Sequence, residues 1–298
     1  MNRAWSGKTG GTQWMQQSLI SIFSHVSPRW MYPVVAVWVL GYIFFAPQTR
    51  RGIYYYWRKR RGLNRWAACR ELYLNYFEFG KAILDRFAAY SGRKFNIRFD
   101  GEEIINRLQS QEGGFIVISS HIGNQELAGY CIHSNKPMCV LLWTGDTATV
   151  NTNRERMFNK MGLYFLPMQA DGSHIFAMHE AVRNGDILSI HGDRMFFGGR
   201  TIATPLLGEE AVFPEGPYKV AAIEEVPVIT MFMMREKSDK YTLYIRELAK
   251  GNESGTIREK SQAILEHFAA NVEQILDKYP RQWFHFYNFW SHTSVSNK

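Results

Sequence analysis

Residues 113–129 read Gly113-Gly-Phe-Ile-Val-Ile-Ser-Ser-His121-Ile-Gly-Asn-Gln-Glu126-Leu-Ala-Gly129. Two changes of character fall inside this stretch. Phe115 to Ser119 is a short apolar run rich in β-branched residues and preceded by a Gly-Gly pair, the pattern of a strand buried on both faces. Beyond His121, Gly123 permits a tight turn, and a helix then starts with Glu126 in or near its first turn. The sequence thus passes from buried strand to turn to helix within seventeen residues.

The same alternation extends outward. Short β-rich runs occur at residues 95–99, 115–119, 138–143, 163–167, 187–190, 226–233 and 241–246. Helical patterns fall between or beyond them, at 101–109, 123–133, 151–160, 173–184 and 215–223. Two longer helices flank the set. One covers 64–90, where Leu72, Tyr76, Phe79, Ile83 and Phe87 recur at helical spacing; the other covers 256–278 and is stopped by Pro280. The expected fold class is α/β: a central, largely parallel or mixed sheet flanked by helices. In such sheets ligands bind beyond the carboxyl ends of the strands, which is where His121 stands.

The chain has 298 residues, 35 Lys+Arg against 27 Asp+Glu, 46% hydrophobic and 15% aromatic residues. That composition excludes a disordered chain, and three cysteines exclude a disulfide scaffold. The charge is uneven. Residues 1–70 hold eleven Lys/Arg and no Asp or Glu, so the remainder is slightly acidic. Within this basic head, residues 30–46 carry no charge and have aromatic residues towards both ends, followed by Arg50-Arg51 and Arg58-Lys-Arg-Arg61. An apolar helix of about 17 residues is at the short end of what crosses a bilayer, and adjacent basic residues favour anionic lipid. The expectation is an N-terminal apolar membrane-associated helix in residues 1–62 and a single α/β domain in 63–298. The denser basic cluster after the apolar run places that domain in the cytoplasm. A nucleic-acid footprint would be spread over a folded face, so no nucleic-acid partner is expected.

For the chemistry, His121 and Glu126 are the leading pair. With His121 in the turn before the helix, Glu126 can reach back to one imidazole nitrogen, fixing the tautomer while the other nitrogen takes a proton. Backbone N–H groups at the helix start can hold a developing oxyanion. A core histidine beside a capping glutamate satisfies the same spacing, and the residues alone leave both readings open.

His-Ile-Gly-Asn-Gln-Glu after an apolar strand resembles the H-x4-D/E motif of the lysophospholipid acyltransferase superfamily, in particular its branch of lipid A late acyltransferases (lauroyl and myristoyl transferases) and a mycobacterial phosphatidylinositol mannoside acyltransferase. That branch commonly shows tryptophan where this chain has Gln125. His191-Gly-Asp193-Arg194 resembles a later strand end of the family, and Tyr279-Pro-Arg-Gln-Trp283 its C-terminal motif. The resemblance implies a membrane-associated acyltransferase of the bacterial inner membrane, its domain facing the cytoplasm. It moves a fatty acyl chain from an acyl carrier protein or acyl-CoA thioester to a lipid or glycolipid acceptor. His121 is then the general base and Glu126 orients it, with Gly123, Asn124, Arg156, Asp193 and Arg194 as substrate-binding candidates, Arg154 being an alternative to Arg156. No metal or other cofactor is implied. An N-acyltransferase making an aminolipid uses the same base, and a non-catalytic membrane-tethered binding protein on the same fold is the rival from another class.

Other groupings point nowhere. Gly7-Lys-Thr9 lacks the first glycine and strand of a phosphate-binding loop. Cys131, His133 and Cys139 lack a fourth ligand. His174 and His179, five residues apart, do not share a helix face. Cys139 falls in a strand and is expected to be inert.

Overall fold

A computed structural model describes residues 13–131, 134–142, 162–169, 171–194, 199–237, 239–286 and 289–290. The strand that decided the sequence reading is β2 (Phe115–Ser119), and all five of its residues are buried. Their side chains alternate between two cores. Ile116 and Ile118 face one cluster with Leu188, Phe232 and Phe268, while Phe115 and Val117 face another with Leu127, Ile187 and Met231. A strand buried this way needs apolar residues at consecutive positions.

Around β2 a seven-stranded sheet forms in the order β1-β9-β8-β2-β5-β3-β4. Its strands are β1 (Asn96–Asp100), β3 (Met138–Leu142), β4 (Leu163–Pro167), β5 (Ile187–His191), β8 (Val228–Arg235) and β9 (Lys240–Ala249), besides β2. Strands β4, β3, β5, β2 and β8 run parallel, and β9 turns back antiparallel to β8 with β1 parallel to it. The α/β class with a mostly parallel sheet is therefore as the sequence indicates. Each of the seven expected strands is present, within a few residues of its expected ends.

The helices are α1 (Gln13–Phe23), α2 (Tyr32–Phe45), α3 (Pro47–Tyr55), α4 (Arg65–Tyr90), α5 (Glu102–Ser110), α6 (Gln125–Cys131), α7 (His174–Arg183), α8 (Glu215–Glu224) and α9 (Ile257–Lys278). Local chemistry sets their ends. Asn64 caps α4 by accepting from the Ala67 N–H at 2.9 Å, and Thr256 with Glu259 forms a capping box on α9. The expected helix at 151–160 lies outside the described residues.

Two strands were not anticipated: β6 (Thr201–Leu206) and β7 (Glu209–Pro214) form an antiparallel ribbon joined at Leu207-Gly208. Pro205 and the pair Glu209-Glu210 dilute the strand signal there. The ribbon is held by tertiary contacts instead: Ala211 and Phe213 are buried, and Trp290 Nε1 donates to the Leu206 carbonyl at 3.2 Å.

The basic head is built onto the domain across residue 62. Helix α2 packs along α4: Tyr73 Oη donates to the Ala36 carbonyl at 3.2 Å, and the rings of Tyr42 and Tyr76 meet edge to face at 5.5 Å. At the closest approach Val35 lies against Gly80, where any Cβ would collide with a Val35 methyl. Gly80→Ala gains about 1 kcal/mol of helix propensity but overpacks this contact, at a cost of about 1–3 kcal/mol. The expected net result is a lower midpoint of chemical denaturation. Adding Val35→Ala relieves the collision and returns the midpoint towards that of the parent protein.

Candidate active site

The site is assembled from the carboxyl ends of three neighbouring parallel strands. Strand β2 delivers His121 just past its last residue. Strand β5 pairs with it in the register Ser119↔His191 and brings His191 and Asp193 alongside. The His121 ring nitrogen Nδ1 lies 2.8 Å from Asp193 Oδ1, and the His121 backbone N–H donates to Oδ2 at 2.6 Å. An ionised carboxylate only accepts, so Nδ1 carries the proton and Nε2 keeps its lone pair. The imidazole of His191 stacks on that of His121, centroids 4.5 Å apart, and its Nδ1 is 3.0 Å from Ser119 Oγ. Behind it, Tyr218 Oη donates to the Gly192 carbonyl at 2.9 Å and the Gly192 N–H to the Ser119 carbonyl at 2.8 Å, fixing the turn that carries Asp193.

The sequence points to Glu126 as the carboxylate against the histidine; the structure bonds Glu126 to α4 and sets Asp193 on the His121 ring. Glu126 is the second residue of α6, and it is drawn to α4, where Tyr90 Oη donates to it at 2.5 Å and Arg86 Nη1 at 3.2 Å. Asn124 fastens the same corner: buried, it donates from Nδ2 to the Ala82 carbonyl at 3.1 Å and accepts from the Leu127 N–H at 3.4 Å. Gly123 has φ +69, and a Cβ there would strike the Met233 carbonyl, so only glycine fits this turn. The Gly123 and Asn124 amides donate to the Gln282 and Met233 carbonyls, both at 2.8 Å, which removes these two from the oxyanion donors expected at the helix start. Arg156 lies outside the described residues.

The C-terminal motif closes the site from the other side. Trp283 pairs with Ile122, and the Phe284 N–H donates to the His121 carbonyl at 2.8 Å. The Gln282 side chain bonds both backbone groups of Arg235, at 2.9 and 2.7 Å. Asn75 Nδ2 donates to the Arg281 carbonyl at 2.7 Å, and Arg281 is paired with Glu71. His285, packed against the Trp283 and Tyr56 rings, is pushed down by burial to about 3, so it is neutral throughout the working pH range.

The electrostatics of His121 follow from its neighbours. Desolvation lowers its pKa first, the Arg194 guanidinium lowers it further, and the Asp193 charge and hydrogen bond oppose both; the net shift is below 6.5. For Asp193, burial pushes the carboxyl up, but the charge and hydrogen bonds of His121, with His191 adding to them, hold it well below the usual carboxylate range. The His121 side chain is 23% exposed, whereas that of Asp193 is buried. His121, His191 and Asp193 also present ligand atoms within 4.8 Å of one another, a spacing a metal ion tolerates. In this structure the Nδ1 and Oδ1 atoms of that group are bonded to each other. Elsewhere, burial pushes the Cys139 thiol up to about 11, consistent with the inert strand cysteine expected.

The sequence did not signal that Asp193 is the partner of His121. Both residues were singled out, but only the adjacency of β2 and β5 joins them. Likewise, nothing in the spacing marked Tyr90 and Arg86 as the groups that hold Glu126.

A buried carboxylate on a half-open imidazole, set above a parallel sheet, is the equipment of enzymes that take a proton from an incoming nucleophile. The model of the bacterial lipid A biosynthesis acyltransferase family matches residues 78–292, well over half of the chain. The chain belongs to that family and is an acyltransferase of the lipid A biosynthesis type. No curated protein matches it.

His121 should titrate below 6.5 when followed by NMR, its signal assigned with His121→Gln. Asp193→Asn removes the charge that favours the imidazolium and should lower the value further. Arg194→Gln removes a repulsive charge and should raise it.

Proposed function

We propose that this acyltransferase moves a fatty acyl chain from an acyl thioester, carried by acyl carrier protein or coenzyme A, to a hydroxyl of a lipid or glycolipid at the cytoplasmic face of the bacterial inner membrane. His121 Nε2 accepts the hydroxyl proton as the oxygen attacks the thioester carbonyl. Asp193 compensates the positive charge this creates on the imidazole. Collapse of the tetrahedral intermediate breaks the carbon–sulfur bond, and the imidazolium returns its proton to the leaving thiolate. The lowered pKa of His121 supports this role, because a base must be neutral before it can act.

In this reading Arg194 supplies positive charge beside the imidazole, where the carbonyl oxygen becomes negative. Arg156 is the proposed contact for a donor or acceptor phosphate. Gly123 and Asn124 hold the turn, and Glu126 is a positioning residue that ties α6 to α4 through Tyr90 and Arg86. The single observation that supports the assignment best is the 2.8 Å contact between His121 Nδ1 and Asp193, which leaves Nε2 as the basic nitrogen.

The full-length protein, assayed with acyl-carrier and acyl-CoA donors, should form a product one acyl chain heavier than the acceptor by mass spectrometry. His121→Ala and Asp193→Asn should each lower turnover by about 10²–10⁴-fold with unchanged circular dichroism. Glu126→Gln should cost less and leave the His121 titration where it was. Full turnover by His121→Ala discards the mechanism.

A further inference from the structure

Helix α2 is apolar on every side, yet only one side of it is covered. Tyr32, Val35, Ala36, Val39 and Ile43 are buried or half-buried against the body and recur at helical spacing. On the opposite side Val37 is 69% exposed, Trp38 75% and Phe45 89%, with Val34, Phe44 and the preceding Trp30 also open. A surface helix facing water carries polar residues on its outer side. This one carries none, and a continuous apolar face of that kind marks a surface that is covered in use.

Two observations identify the cover. Beyond α2 the chain presents exposed Arg51, Lys59 and Arg65, none with an acidic partner among the described residues, and the exposed Trp66 follows. A two-fold contact through α2 would set like charges against each other, whereas anionic headgroups complement them. The packing on α4 then fixes the orientation. The contacts of α2 run along α4 from Tyr73 through Tyr76 and Gly80 to Asp85, which accepts from Tyr32 at 3.5 Å. A docked α2 standing across the bilayer would carry this part of α4 into hydrocarbon, and with it Glu78, Lys81, Asp85 and the Arg235 bonded to Glu78. With the 3-10 turn Pro28–Met31 that leads into it, α2 forms an 18-residue apolar run about 29 Å long, close to the roughly 30 Å apolar layer, so length permits either orientation and the docking on α4 decides between them.

We propose that α2 lies in the plane of the bilayer, its outer face among the acyl chains and its inner face still docked on α4. The inference rests on the membrane location in the proposed function and specifies its geometry. The same α4 holds Asn124 and Glu126, so the helix in the lipid is separated from the His121 turn by the thickness of one helix. An acceptor lipid then reaches the site by sliding along the interface, without leaving the membrane.

The test uses the full chain with Cys69, Cys131 and Cys139 replaced, and a single nitroxide placed in turn through Val34→Cys, Val37→Cys, Trp38→Cys and Phe45→Cys. The protein is bound to phosphatidylethanolamine/phosphatidylglycerol vesicles, and depth is read by electron paramagnetic resonance from oxygen and nickel-chelate accessibility. All four labels are expected at one shallow depth in the acyl layer, and a label at Val39→Cys, facing α4, is expected to be accessible to neither reagent. A depth that increases steadily from 34 to 45 would overturn the proposal in favour of a span. Labels that stay in water and broaden one another would overturn it in favour of a dimer. His121→Ala in the same vesicles separates the two readings: residual full turnover removes the catalytic proposal and leaves the depth profile standing, whereas a graded profile with an inactive His121→Ala removes only the in-plane geometry.

Discussion

The two hydrogen bonds from His121 to Asp193 hold the rest of the site in place. One comes from the ring and one from the backbone, so the carboxylate fixes the imidazole and the chain beneath it together. Much of the surrounding structure keeps the two partners in register. The parallel pairing of β2 with β5 sets their spacing, Tyr218 and Ser119 fix the turn bearing Asp193, and Gly123 lets the chain double back so closely over β8. A carboxylate buried this deeply is tolerable only because each of its oxygens meets a donor. The stability of the turn and the character of the imidazole therefore depend on the same contact.

The fold was legible wherever a strand is buried on both faces. Phe115–Ser119 and Val228–Arg235 are nearly continuous apolar runs because each side chain meets a core. The β6–β7 ribbon, with one face open and a proline inside it, left no such trace. The site was legible in its members and partly illegible in its pairings. His121 and Asp193 were both conspicuous, each after an apolar strand, but strand order decides that they meet, and it is a tertiary fact. Glu126 shows the limit of local reasoning. Five residues from His121, it has a plausible way back to the ring, yet two donors on a helix some forty residues upstream hold it instead.

The head illustrates a related point. Read alone, residues 30–46 are an apolar segment with basic flanks, and composition leaves its relation to the body undefined. The collision that any side chain at position 80 would suffer with Val35 shows how closely the body is cut to receive it. The apolar head and the domain share α4, which also carries the contacts of the His121 turn.

The segment Gln282 to Phe284 has a consequence for biogenesis. These residues complete the hydrogen bonding around His121, yet they leave the ribosome after all the strands and helices described above. The apolar head emerges first, more than two hundred residues earlier. A nascent chain can therefore pair β2 with β5 while the turn bearing His121 still lacks one wall.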